Sequence, residues 1–312
     1  MNSSKLHSNP SSTISRRSLL AFGGLAAAGA AVGTIAGDTA WATPAGRSTV
    51  APDRMTAALA ELEREASVTI GVVAVAHGST NPFRYRAADR FPMCSLFKPL
   101  AAAALVQARG YDEVYWNTPI PYTNADVVVD SLVLESKRPQ RATPEELADA
   151  ALRWSDNTAG NLLLRELGGP AAITAFAASL GATDTRLDRW EPELNEAVPG
   201  DLRDTTTPDD IALLYSALLL DDAAGMLTSA RLREWMLRNQ TSNARMRAGL
   251  EPPYELADKT GGGAYGVVND AGVLWRPGET PLTLVIMTRT DRADAVRNNA
   301  VVAEATRIVV GG

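Results

Sequence analysis

Cysteine and histidine are nearly missing from this chain. Cys94 is its one cysteine in 312 residues, so neither an intramolecular disulfide nor a multi-thiolate zinc site can form. The two histidines, His7 and His77, are too few for a histidine-rich metal centre. They also come close to excluding a Ser-His-Asp triad, which needs an imidazole beside its nucleophile. Positive charge is not in excess: the formal net charge is −6, which argues against a nucleic-acid partner or an acidic membrane surface. Lysine is scarce within that balance, with Lys5, Lys98, Lys137 and Lys259 set against 26 arginines. No internal repeat is present, and no low-complexity segment lies outside the N-terminal leader. The apolar run from Ala21 to Ala36 is Gly-rich and weakly apolar for a membrane span of about 20 residues.

What remains is a globular composition, 46% apolar and 21% charged, long enough for one or two domains. Residues 1–42 have the layout of an export signal. Ser15-Arg16-Arg17-Ser18-Leu19-Leu20 precedes the apolar run, and Ala40-Trp41-Ala42 is a small-x-small cleavage site. The paired arginines resemble a twin-arginine signal, and residues 43–51 read as a loose leader. Beyond it, Arg54 to Glu65 has apolar residues at helical spacing and Val68 to Ala76 is β-branched and nearly continuous, so helix then buried strand is expected. His77 to Pro82 reads as a turn and Phe83 to Arg86 as a returning strand. From Ser95 to about Asn239 the pattern is helical with short loops. Thr143-Pro144-Glu145-Glu146 is a capping box with Pro at the first helical position, and Thr207-Pro208-Asp209-Asp210 resembles it. Residues 187–204 are too charged and Pro-punctuated for a helix, and predict an ordered extended loop with Trp190, Leu194 and Leu202 as anchors. Tyr254 to Lys259, Tyr265 to Trp275 and Leu282 to Thr288 read as strands, and Ala293 to Val310 as a closing helix. Strands at both ends predict a discontinuous α/β sheet domain, 43–93 with 240–312, and an all-helical domain, 94–239, with a cleft where they meet.

The chemistry concentrates at Ser95-Leu96-Phe97-Lys98. At a helix start, side chains three apart share a face at about 5–6 Å, which sets a nucleophile beside a possible base. Unpaired N–H groups at the helix N-terminus favour a developing oxyanion and oppose an enclosed ammonium. Three further polar clusters follow. Ser155-Asp156-Asn157 lies between two helices and, taken alone, is an N-cap cluster. Glu191 with Asn195 in the long loop offers a carboxylate and an amide to hold a water. Lys259-Thr260-Gly261-Gly262-Gly263 reads as a strand-end turn with a cation, a hydroxyl and glycines that admit close approach.

Taken together and in this order, Ser-x-x-Lys, Ser-Asp-Asn, Glu-Pro-x-Leu-Asn and Lys-Thr-Gly resemble the class A serine β-lactamases, over essentially all of residues 50–312. The resemblance implies an α/β fold of the α+β type, shared with penicillin-binding proteins: an antiparallel sheet flanked by helices, plus an all-helical domain. It implies hydrolysis of the β-lactam ring of penicillins and cephalosporins, and hence antibiotic resistance, with no cofactor and no metal. Ser95 would form the acyl-enzyme, with the N–H groups of Ser95 and Gly262 as oxyanion hole. Either Lys98, or Glu191 through a water, would take the Ser95 proton. Ser155 would pass a proton to the departing nitrogen. Asn157 would bond Lys98 and the substrate amide, Glu191 with Asn195 would activate the deacylating water, and Lys259 with Thr260 would hold the substrate carboxylate beside Gly261. An ion pair between Arg189 and Asp204 would clamp the long loop, and Glu191-Pro192 is a candidate cis bond.

Some positions depart from common members. Val268 stands where many carry an arginine, and Arg245 lies where others place a substituting carboxylate-binding one. Asp130 or Ser131 replaces the usual aromatic at the cleft rim. Gly263 stands where some carbapenem-hydrolysing members have a cysteine, so Cys94 has no bridge partner and is expected as a buried small apolar residue. An exported monomer acting on small β-lactams, without stable membrane association after cleavage, is the expected whole. Two other readings are a D-alanyl-D-alanine peptidase of the same fold and a silent sensor that stays acylated. Glu191 argues against both.

Overall fold

The computed structural model describes residues 52–110 and 112–311; the expected export signal and leader, 1–51, lie outside the described residues. Helix α1, Pro52–Ala66, leads into strand β1, Thr69–Ala76, and the short β2, Phe83–Tyr85. Strand β3, Phe91–Pro92, is followed by a 3₁₀ turn, Cys94–Phe97, and helix α2, Lys98–Arg109. Then come α3, Glu113–Asn117, the two-residue strands β4, Ile120–Pro121, and β5, Arg141–Ala142, and helices α4, Pro144–Arg153, α5, Asn157–Glu166, and α6, Ala171–Ser179. After the long loop, β6 is Thr205–Thr206, α7 Pro208–Leu219 and α8 Met226–Leu237. The chain closes with β7, Glu255–Gly262, β8, Val268–Trp275, β9, Leu282–Arg289, and α9, Asn299–Val310.

Strands from both ends of the chain make one five-stranded sheet in the order β2-β1-β9-β8-β7, every pairing antiparallel. Successive side chains of a strand point to opposite faces, and both faces here are covered. Ile70, Val72 and Ala74 of β1 pack with Leu59 of α1 and Val301 and Val302 of α9. Val73 faces the other way, into the larger core with Ile211 and Leu214 of α7 and Leu100 of α2. That two-sided burial is why β1 and β9 are nearly continuous apolar runs instead of alternating ones. Each fully buried aliphatic side chain stabilises by about 1.5–3 kcal/mol relative to exposure.

Helix α2 is the hub of the larger core, with every residue from Lys98 to Val106 buried. Alanine at four of those positions lets neighbouring helices approach closely, and Gly110, at φ 53°, ends the helix. Thr143 caps α4 with the complete reciprocal box: Glu146 N–H donates to its hydroxyl and Glu146 accepts from the Thr143 N–H.

The observed boundaries differ from expectation in places. Ser95 sits in the 3₁₀ turn ahead of α2, not in its first turn. Strand β7 runs through Lys259, Thr260, Gly261 and Gly262 and pairs with β8 along its whole length, so these residues are strand, not a strand-end turn. Helix α9 begins at Asn299 because Asn298 caps it, leaving 290–298 as a loop. The loop 187–204 buries Leu187 and Leu194, whereas Trp190 and Leu202 are 40% and 55% exposed; its anchorage is mainly polar.

Candidate active site

Three elements bring the polar clusters together. The 3₁₀ turn and the start of α2 carry Ser95 and Lys98, the α4–α5 junction carries Ser155 and Asn157, and β7 carries Lys259 and Thr260. Asp156 of the junction points away from them. It caps α5 at the Ala159 N–H, accepts from the Val133 and Leu134 N–H groups, and is wholly buried. Its role is to fix the segment opposite, while its neighbours face the nucleophile.

Lys98 is completely buried and its Nζ is surrounded by polar partners. It donates to the Ser155 carbonyl at 2.7 Å and to Asn157 Oδ1 at 2.8 Å, and lies 3.1 Å from Glu191 Oε1. Ser95 Oγ, on a residue 6% exposed, lies 3.4 Å from the same Glu191 oxygen. One carboxylate oxygen therefore faces both the nucleophile and the lysine. The other, Oε2, accepts from Asn195 Nδ2. The glutamate backbone is held too: Asn161 accepts from the Glu191 N–H and donates to its carbonyl, both at 2.9 Å. The Glu191-Pro192 peptide is cis.

Lys259, also fully buried, donates to Ser155 Oγ at 2.9 Å and to the Thr260 carbonyl at 2.7 Å. Ser155 thus lies between the two lysines, its Oγ 3.4 Å from Lys98 Nζ. Burial pushes the Lys259 ammonium well below the usual lysine range, and the charges of Lys98 and Arg245 push it further. The Thr260 hydroxyl shares a 2.5 Å hydrogen bond with that of Thr241.

A groove of about 240 Å³ runs across these groups, lined among others by Ser95, Asn157, Asn195, Thr260, Gly261 and Gly262. Arg245 lines it as well, its Nε on Asn299 Oδ1 at 2.9 Å and its Nη1 on the Gly261 and Asn269 carbonyls at 2.6 and 2.7 Å. Of the two candidates for the aromatic's place, exposed Asp130 lines the groove, while Ser131 is buried against Thr158. Cys94 is buried with Ala197 and Val267, and its thiol is pushed up to about 12, first by burial and then by Glu191.

Several features of the site carry no sequence signal. Cys94, Asp130 and Ser155 have φ of 48°, 57° and 59°, a region that costs a non-glycine residue roughly 1–3 kcal/mol. At Ser155 this turn presents both carbonyl and hydroxyl to Lys98. Asn161, Thr241 and Arg297 are further residues on or behind the groove that motif reading passes over. Gly160 is needed for space: a Cβ there would lie 2.9 Å from Lys98 Cε.

The comparisons agree with this fold. A family model described as the β-lactamase enzyme family matches residues 54–311. A β-lactamase of Streptomyces lavendulae is 46% identical over 301 residues, covering 95% of this chain and 96% of its own. The carbapenem-hydrolyzing β-lactamase KPC of Klebsiella oxytoca is 41% identical over 254 residues, covering 81% of this chain and 87% of its own. The solved β-lactamase of Streptomyces albus G superposes with a TM-score of 0.79 at 44% identity, over 82% of this chain and 98% of that one. The chain belongs to the β-lactamase enzyme family, has the serine β-lactamase fold, and is of the class A serine type.

Proposed function

We propose that this protein opens the lactam ring of penicillins and cephalosporins through an ester on Ser95 and then hydrolyses that ester. The Ser95 hydroxyl loses its proton to Lys98 or, through a water, to Glu191, and its oxygen bonds to the lactam carbonyl carbon. The N–H groups of Ser95 and Gly262 hold the oxyanion. When the ring C–N bond breaks, the nitrogen takes a proton by way of Ser155, which Lys98 and Lys259 flank. Glu191, held by Asn195, then draws a proton from a water that attacks the ester, releasing the acid and restoring Ser95. Asn157 binds the side-chain amide of the substrate as well as Lys98. Lys259, Thr260 and Arg245 hold the ring carboxylate along Gly261.

The observation that carries this reading is the position of Glu191 Oε1, 3.4 Å from Ser95 Oγ and 3.1 Å from Lys98 Nζ. A protein that merely stays acylated has no use for a buried carboxylate at that place. In Arg245, Nε and Nη1 are tied to protein acceptors, and among the described residues Nη2 has none, which leaves it for the substrate. Turnover of a chromogenic cephalosporin without added metal, abolished in Ser95→Ala, tests the assignment. Turnover that survives Ser95→Ala would overturn it.

The same reading takes residues 1–42 as a twin-arginine-type export signal, 43–93 with 240–312 as a sheet domain, and 94–239 as an inserted helical one. It places a monomer outside the cytoplasm. Among the described residues no helix is long and apolar enough to cross a membrane.

A further inference from the structure

The two arginines that line the groove are held differently. Arg245 has two nitrogens bonded to protein acceptors, and burial lowers its pKa, with Asp270 acting in the opposite direction. Arg297, in the loop between β9 and α9, is exposed. Its Nε donates to the Gly263 carbonyl at 3.1 Å, and among the described residues neither Nη1 nor Nη2 has a hydrogen-bond acceptor or a carboxylate partner.

Its guanidinium lies flat against Gly262. A Cβ at Gly262 would meet Arg297 Nη1, Cζ and Nε at 3.3, 3.4 and 3.5 Å. Side chains two apart on a strand point to the same face, so the Arg297 head occupies the face of β7 that carries the Thr260 hydroxyl, one pleat of about 7 Å further on. Thr260, Gly262, Arg245 and Arg297 line the same groove. Of the two arginines, only Arg297 has both terminal nitrogens without a protein acceptor among the described residues. A methyl at Gly262 would sit at or just inside ordinary contact with this head.

We propose that Arg297 is a specificity-determining residue, supplying an outer cation for the ring carboxylate of the lactam bound on Thr260. This deepens the lactam-hydrolysis reading and rests on it. Binding there is selective for lactams that keep a free carboxylate on the ring, and its contribution lies in capture of substrate more than in the chemical steps, since Arg297 touches neither Ser95 nor Glu191.

The test compares one chromogenic cephalosporin as its free acid and as its carboxyl methyl ester, with the full exported chain and the variants Arg297→Ala, Arg297→Lys and Arg297→Glu. An exposed charge contact of this kind predicts that Arg297→Ala raises KM for the acid about 5-fold, with kcat within about twofold. Arg297→Glu raises it further, Arg297→Lys restores most of the loss, and KM for the ester changes by less than about twofold in all three. Equal shifts for acid and ester, or no shift for the acid in Arg297→Glu, would overturn the role of Arg297. Absence of turnover of either form by the unaltered protein would overturn the lactam reading itself, and the proposal with it.

Discussion

Arg189 donates from Nε to Asp204 Oδ2 at 2.6 Å, closing the two ends of the loop that carries Glu191. The other oxygen of Asp204 accepts from the Asp188 and Arg189 N–H groups at 2.7 and 2.9 Å, and the residue is 1% exposed. Asp204→Ala takes the acceptor from the Asp188 and Arg189 N–H groups, at about 1–3 kcal/mol for each buried donor left unsatisfied, while Arg189 keeps Glu196 as a second partner. Asp204→Ala is therefore expected to lower Tm by about 10 °C, and to slow loss of the acyl adduct more than its formation. Scanning calorimetry with intact mass spectrometry checks this. An unchanged Tm would mean that Asn161, which brackets the Glu191 backbone, holds the loop alone.

Lys259 carries a pH signature. Because burial, and then the charge of Lys98, depress its pKa, its proton leaves at a lower pH than an ordinary lysine's, near 10.4. The neutral amine no longer attracts a carboxylate, so KM for acid substrates is expected to climb on the alkaline side while still below that range. Lys259→Arg, which keeps its charge throughout, is expected to move the climb to higher pH. KM measured from about pH 6 to 10 decides it. A flat KM in the unaltered protein would show that Lys259 does not hold the carboxylate.

Gly263 sets the distance between β7 and the long loop. A Cβ there would lie 2.8 Å from the Asn195 carbonyl oxygen and 3.0 Å from Cys94 Sγ. That carbonyl also accepts from the Ala264 N–H at 2.9 Å. A backbone oxygen cannot swing aside as a side chain does, so Gly263→Ala must displace the loop. The expected cost is about 1–3 kcal/mol, read as a lower Tm, together with a fall in kcat as Asn195 and Glu191 shift. An unchanged Tm and kcat would mean that the loop has slack at this contact.

What the sequence revealed and what it hid divide along the range of the interactions. Thr143 with Glu146 and the apolar runs of β1 and β9 are local patterns, and they are found where the chain spells them. The Ser95, Ser155, Glu191 and Lys259 clusters, 164 residues apart at the extremes, meet because sheet and helices carry them there; only their joint order made that legible. The 3₁₀ turn at Ser95 and the left-handed Ser155 and Asp130 left no trace in residue type, since tertiary contacts impose those angles against local preference. Reading Lys259 to Gly262 as a turn failed because three of those residues besides the lysine looked like turn formers, whereas pairing with β8 extends them. Arg297 was invisible among 26 arginines, because only the fold brings it to the groove beside Gly262.

The role of the carboxylate at position 191 is the centre of the account. Glu191→Gln keeps the shape of the side chain but removes its charge, so it retains packing while losing the ability to accept a proton from water. The expected loss in the ester-cleaving step is about 100- to 10,000-fold. Intact mass spectrometry of this variant, mixed with a penicillin and sampled over time, is predicted to show a long-lived adduct on Ser95 that the unaltered protein clears. Undiminished turnover by Glu191→Gln, with no adduct retained, would contradict the account.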